Sequence, residues 1–390
     1  MKKVRLSYLR GAVLAALFAF VLFASISSKI GEFYAIFIYP ALSGFLSAVS
    51  SVVGFSFDEW GIILAVLLLV VCPFYWRMQK RRDWLAIVRG EVEILLWVYV
   101  WFYWGWGMNY YRASFFQRAE VKPAAYDEVQ FDRFLAFYKD GMDRAFQDCQ
   151  EEGWMNSPDL FVPMDEVDDR MGVRRVGVKA GGMVGDSVGF TRSFVHACIK
   201  DMYRKIPEKY GLCKPKGYQE PKRSSFNGLY SNVGVLGFMG PFFAESHVNL
   251  ELSVLEYPFT YAHELSHLLG VSSEAEANLW AFSVCAQSDH PLIRLSGYMG
   301  LLSYVRANAS YLLPPVKFDE WESSLEPEIK AAFYRVHAYW TLRYNSTLGE
   351  IQSAMYNFYL KRNKISSGQK NYAQVIVLLL ALPDFLIPTR

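Results

Sequence analysis

Cysteine is sparse in this chain. There are five (Cys72, Cys149, Cys198, Cys213 and Cys285), odd in number and scattered. No Cys-x-x-Cys occurs, which excludes a thiolate zinc site and a dense disulfide framework and leaves room for a single disulfide. An excess of charge of either sign is also lacking. Forty Lys and Arg stand against 38 Asp and Glu, a net +2, so nothing in the charge points to nucleic acid. No internal repeat and no low-complexity tract interrupts the 390 residues. Charge is low altogether, at 20% of residues, while 53% are hydrophobic and 17% aromatic. That is too apolar for an ordinary soluble enzyme and predicts membrane segments.

The apolar residues are concentrated in residues 1–112. Three stretches carry no charge: Gly11–Ser28, Trp60–Trp76 and Ile94–Tyr111. Each approaches the roughly 20 residues that cross a hydrocarbon core. The last is rich in Trp and Tyr, which favour the membrane interface. Phe33–Phe57 is uncharged too, but it contains Pro40, Gly44, Gly54 and several serines. Basic residues decide its reading. Lys2, Lys3, Arg5 and Arg10 precede the first stretch, and Arg77, Lys80, Arg81, Arg82 and Arg89 lie between Trp76 and Ile94. Short basic loops stay cytoplasmic, and three spans keep both basic segments on that side. Phe33–Phe57 is then interfacial or re-entrant. No small-residue cleavage site precedes further apolar sequence, which argues against a removable leader.

This topology places residues 113–390 outside the cytoplasm as a domain with its own core. The expected fold is an α-helical membrane anchor of about three spans, followed by an α+β, mostly helical domain. Tyr126–Cys149 and Phe194–Lys209 read as amphipathic helices. Val162–Gly189 is Gly-rich and mixed in charge, as a loop with short strand would be. Lys214–Asn227 is a polar, Pro-containing loop, and Val233–Leu255 has strand character. The chain from Tyr261 onward is mostly helical, ending in a core helix at Val375–Leu382.

One motif carries chemistry. "YAHELSHLLGVSSEAEANLWAF", Tyr261–Phe282, contains His-Glu-x-x-His. In a helix, positions i and i+4 lie about 40° apart, so His263 and His267 share a face and reach one ion. Glu264 lies about 100° round, placed to take a proton from water rather than to ligate. Zinc lowers the pKa of such a water towards roughly 7. Two histidines do not complete a site. Gly270 can turn the chain back, and Ser272 or Ser273 can cap a second helix starting near Glu274. Its first carboxylates, Glu274 and Glu276, are the candidate third ligands. Glu274 is favoured, because Asn278 at i+4 stands behind it to orient a histidine. Glu276 would instead stand in an outer layer. A glutamate at a helix start also suits the macrodipole without any metal. Glu245 and His247, on the strand-like Phe242–Val254, could line a cleft. Tyr298, Tyr304 and Arg306 could stabilise an oxyanion. His196, His290 and His337 have no motif around them.

"WGWGMNYYR", "GFMGPFFAESHVN", "PFTYAHELSHLLGVSSEAEAN" and "LSGYMGLLSY" together resemble the bacterial membrane-protein family known as domain of unknown function 3810. The resemblance covers nearly the whole chain. It implies N-terminal membrane spans and a C-terminal domain with a zincin-like motif. His263, Glu264, His267, Gly270, Glu274, Glu276, Ala277 and Asn278 occupy its marked positions, with Ser266 where alanine is common. The Glu-x-x-x-Asn pattern also resembles the Glu-x-x-x-Asp of thermolysin-like gluzincins, in which the glutamate ligates and the acid orients a histidine. Asparagine makes that support neutral here.

The expectation is a multi-pass protein of the bacterial inner membrane, with a cytoplasmic N-terminus and a periplasmic zinc metallopeptidase domain. Its cofactor is Zn2+. Its partners are the lipid bilayer and a peptide or protein substrate, with no nucleic acid. The alternative is a non-catalytic membrane receptor or assembly factor on the same zincin-like fold. An intramembrane protease is disfavoured, because "SSEAEAN" is too polar for a span.

Overall fold

The computed structural model describes residues 2–78, 83–124, 127–168, 190–363 and 374–387. Most of the Gly-rich stretch, and Lys80, Arg81 and Arg82 of the basic loop, lie outside these. The chain is mostly helical and divides into two compact units.

The first unit comprises Met1–Ala113, Lys216–Ser225 and Met239–Ser246. Its helices are α1 (Lys2–Ile26), α2 (Ser28–Phe33), α3 (Tyr39–Ser50), α4 (Phe57–Met78) and α5 (Trp84–Gly105). Three of its helical stretches are long and apolar enough to cross a membrane: Tyr8–Ile26, Ser28–Ser50 and Phe57–Met78. Ser28–Ser50 covers most of the stretch expected to be interfacial or re-entrant, and it is helical throughout. A π-helical turn, Tyr34–Ile38, joins α2 to α3, and Pro40 falls in the first turn of α3, where its missing N–H costs little. The aromatic stretch expected at 94–111 is also redrawn. Its helix begins at Trp84 and stops at Gly105, and Gly107–Tyr111 forms a 3₁₀ turn. A Cβ on Gly105 would lie 2.6 Å from the Pro241 carbonyl, so only glycine fits where α5 ends.

α1 and α5 run side by side in the same direction. Arg10 pairs with Glu93 at 2.7 Å, Phe18 packs on Tyr99, and Trp104 Nε1 donates to the Leu17 carbonyl. α4 runs the other way. Phe57 at its start and Trp101 near the end of α5 both pack on Phe243, while Arg77 at its end lies over the Trp84 ring. Ser28–Ser50 stays at the end of the bundle where α5 finishes. Tyr34 donates to the Trp104 carbonyl, and Ser47 donates to the Ala244 carbonyl. Glu245 is buried here and caps the start of α4. It accepts from Ser56 Oγ and from the Phe57 and Asp58 amides, and it pairs with Lys222 at 2.8 Å.

The second unit comprises Ser114–Pro215, Phe226–Phe238 and His247–Arg390. In order come α6 (Phe115–Arg118), α7 (Glu128–Glu151), α8 (Arg192–Lys205), α9 (Asn227–Asn232), α10 (Tyr257–Leu268), α11 (Glu274–Ala286), α12 (Pro291–Leu312), α13 (Pro315–Ser323), α14 (Pro327–Arg343), α15 (Ser346–Arg362) and α16 (Val375–Leu380). Strand β1 (Gly237–Gly240) pairs with β2 (Glu245–Val248), forming the one sheet among the described residues. The core lies where α7, α10, α11, α12 and α16 meet. Trp280, Tyr261, Phe282, Tyr138, Phe131 and Phe134 are fully buried there. Gly300 lets α12 close on Phe259, where a Cβ would sit 2.2 Å from the ring. No disulfide joins any of the five cysteines.

Candidate metal centre

The site is built from two consecutive helices and the turn between them. α10 ends in the hydrogen-bond pattern that a left-handed glycine permits. Gly270 has φ 98°. Its N–H donates to the His267 carbonyl, and the Val271 N–H donates to the Ser266 carbonyl. This turn carries the Val271 carbonyl back to His267, where it accepts from Nδ1 at 2.8 Å. Ser273 then caps α11, its hydroxyl accepting from the Glu276 N–H. Glu274 is therefore the first residue of a helix folded back beside the His-Glu-x-x-His face.

Three donor atoms converge. His263 Nε2 lies 3.1 Å from Glu274 Oε2, His267 Nε2 lies 3.4 Å from the same oxygen, and the two Nε2 atoms are 3.2 Å apart. These three residues form a group able to hold a metal ion. Each imidazole is oriented by its other nitrogen. A carbonyl only accepts, so His267 donates from Nδ1 and aims its Nε2 inward. His263 Nδ1 meets Asn278 Oδ1 at 2.8 Å with the same result. Asn278 thus stands where the i+4 spacing places it.

The electrostatics follow from burial and crowding. Burial alone would lower the His267 pKa, but the Glu274 carboxylate beside it, with Glu264, lifts it to about 9. Burial works against the Glu274 charge, yet the two imidazoles hold its carboxyl well below the ordinary range. Glu264 is pushed up to about 7, mainly by burial, with the imidazoles opposing and Glu274 assisting. Its Oε2 is buried with no hydrogen-bond partner among the described residues. Gly237 at the start of β1 packs directly on this carboxyl, and a Cβ there would lie 2.6 Å from Glu264 Cγ and Oε1. Gly237→Ala is expected to destabilise the fold by about 1–3 kcal/mol through overpacking, read from chemical denaturation of the full chain.

Glu276 does not join the donors. Both its oxygens take Arg118 Nη2, at 2.6 and 2.5 Å, and Oε1 also accepts from Trp280 Nε1. It belongs to a buried ion pair. The strand-borne candidates also lie elsewhere. Glu245 caps α4, and His247 stacks on Phe238 with centroids 4.2 Å apart. Of the three oxyanion candidates, only Tyr304 stands beside the centre. Its pKa is raised to about 12, mainly by burial, and it neighbours Asn278 and Glu274. Tyr298 packs against Tyr138 and Phe282, while Arg306 pairs with Glu322. His196 hydrogen-bonds Tyr257, His290 caps α12 and His337 stacks on Phe333.

One residue at the centre has no sequence signal. Tyr356 on α15 donates its hydroxyl to Glu274 Oε1. It lies 82 residues beyond its partner, and no spacing rule connects them.

The family described as "Protein of unknown function (DUF3810)" matches residues 34–380. The chain belongs to this family. No curated protein and no solved structure matches it. The matched span takes in every donor of the DUF3810 chain's candidate centre and Tyr356 with them.

Proposed function

We propose that this DUF3810 member is a membrane-anchored zinc metallopeptidase with a gluzincin-like site. His263, His267 and Glu274 hold the ion and Glu264 acts as the general base. The observation carrying this reading is the donor triangle. Ligands about 2.0–2.1 Å from a tetrahedral zinc lie about 3.3–3.4 Å from one another. The three edges here are 3.1, 3.2 and 3.4 Å. The carboxylate oxygen and the two imidazole nitrogens face one point, where a cation would be held by all three. Two imidazoles and one carboxylate suit zinc and leave one tetrahedral position for substrate or water.

When bound, the ion would acidify a water and polarise a substrate carbonyl. Glu264 would take a proton from the attacking water and pass it to the departing amine. Asn278 and the Val271 carbonyl keep both imidazoles aimed inward. The strand β1 begins against Glu264, and an extended peptide pairing along β1 would bring its scissile bond past the base. Tyr304, beside Asn278 and Glu274, would donate to a developing oxyanion.

The membrane reading rests on helix directions. Taking α5 rather than Ser28–Ser50 as the third crossing, with α1 and α5 parallel and α4 antiparallel, leaves Ala113 on the side opposite the N-terminus. Ser28–Ser50 then lies along the far interface, because both its halves touch the end where α5 finishes. Lys2, Lys3, Arg5 and Arg10 hold the N-terminus in the cytoplasm, and the metal centre faces the periplasm.

Metal analysis of the full chain in lipid nanodiscs tests this. Wild type is expected to carry one zinc, Glu274→Ala to lose it and Glu276→Ala to keep it. If neither change lowers zinc content, the ligand set is wrong. A protein that holds zinc but cleaves nothing in a broad peptide screen is the non-catalytic alternative.

A further inference from the structure

We propose that Tyr356 is a positioning residue that restricts Glu274 to a single metal-ligating oxygen. The inference rests on the metal-centre reading above and deepens it. A carboxylate can grip a divalent ion through one oxygen or through both. Here the two oxygens of Glu274 have different neighbours. Oε2 faces both histidine Nε2 atoms, at 3.1 and 3.4 Å, while Oε1 accepts the Tyr356 hydroxyl. A phenol donor on Oε1 takes one of that oxygen's two lone pairs and draws charge from it, which disfavours a two-oxygen grip. The ion then has three protein ligands rather than four, and one position stays open for the reacting groups.

The helix that carries Tyr356 is built for this contact. Among the described side chains of α15, the positions turned inward are polar or lack a side chain: Gly349 is buried, and Gln352, Ser353, Tyr356 and Asn357 are half-buried. The opposite face carries Leu348, Ile351, Met355 and Phe358, all exposed. A surface helix ordinarily buries its apolar stripe, and α15 does the reverse. What it presents to the protein is hydrogen-bonding capacity, and one of its contacts is a metal-ligand carboxylate. Its start is fixed independently. Asn345 Oδ1 accepts from the Leu348 N–H, and Gly349 closes on the Tyr344 ring, where a Cβ would lie 2.1 Å from the hydroxyl. The phenol of Tyr356 is thereby held at the Glu274 carboxylate rather than swinging on a loose segment.

The experiment uses the full chain in nanodiscs, loaded with zinc or with cobalt(II). Tyr356→Phe removes one hydroxyl and keeps the ring. It is expected to weaken zinc binding by about 10- to 100-fold, the usual effect of deleting a hydrogen-bond partner of a ligand. The visible d–d bands of the cobalt form are expected to lose intensity, as coordination rises from four to five when Oε1 joins the ion. A residue that only packs would leave those bands unchanged. X-ray absorption at the zinc edge of wild type needs no substitution and is expected to read four-coordinate. A five-coordinate wild type, or a Tyr356→Phe protein with wild-type affinity and spectrum, overturns this inference alone. A wild type that binds neither metal overturns it together with the metal-centre reading.

Discussion

Glu264→Gln is expected to remove peptide hydrolysis almost completely while zinc content stays at one per chain. General-base contributions are about 10²- to 10⁴-fold, so the residual rate should fall within or below that range. The geometry separates this residue from its neighbours. Glu264 lies on the His-Glu-x-x-His helix but outside the donor triangle, so glutamine in its place leaves the ligands and their hydrogen bonds intact. Its pKa of about 7, set first by burial, puts the group where it can both take and return a proton near neutral pH. A second readout follows from the burial of Glu264. Burial disfavours its charged form and raises its pKa. Neutral glutamine relieves part of that penalty. Thermal denaturation of Glu264→Gln is therefore expected to occur at or above the wild-type temperature, the mark of a residue kept for chemistry rather than for stability. Undiminished cleavage by the variant would remove Glu264 from the mechanism. A parallel fall in zinc would instead make it a ligand.

Local physics made much of this centre legible. The i+4 spacing put His263 and His267 on one face, the glycine three residues on turned the chain, and a serine capped the next helix. The structure adds which serine, Ser273, and why the turn matters: it delivers the Val271 carbonyl to His267. Glu274 and Glu276 could not be separated by spacing alone, because the deciding partner is Arg118, 158 residues earlier in the chain. Tyr356 escaped for the same reason. Its helix is polar on the inside, so a periodicity rule that seeks buried apolar stripes points away from its functional face.

The same limit applies in the first unit. Charge-free stretches mark its helices, yet Pro40, Gly44 and Gly54 in Phe33–Phe57 gave no sign of a continuous helix. A π-helical turn absorbs the disturbance and the helix continues. Nor does composition reveal that Lys216–Ser225 and Met239–Ser246 belong to that unit. They join it through buried charge: Glu245 caps α4, and Glu59 accepts from Ser224 and Ser225. A fragment beginning at Ala113 would leave Glu245 and Lys222 without the helix start they bind. Measurements on the site therefore call for the whole chain.

The largest effect on stability is expected from Arg118→Ala, a loss of about 3–5 kcal/mol, the usual result of removing one member of a buried ion pair. The Arg118 and Glu276 side chains are only 8% and 6% exposed. Arg118 also donates to the Tyr210 carbonyl at 2.7 Å, so truncation strands a carboxylate and a carbonyl together. Trp280 Nε1 alone cannot neutralise the charge left on Glu276. Substituting both partners, Arg118→Met with Glu276→Leu, should recover most of the loss, because the cost lies in the orphaned charge more than in the missing attraction. Chemical denaturation of the full chain in detergent, run as a double-mutant cycle, measures both terms. A loss below about 1 kcal/mol for Arg118→Ala would mean that water reaches the pair and screens it. Zinc content should not change in any of these proteins, because Glu276 is turned away from the donors. Two glutamates two residues apart on one helix would then have divided their tasks, Glu274 holding the ion and Glu276 holding the helix that presents it.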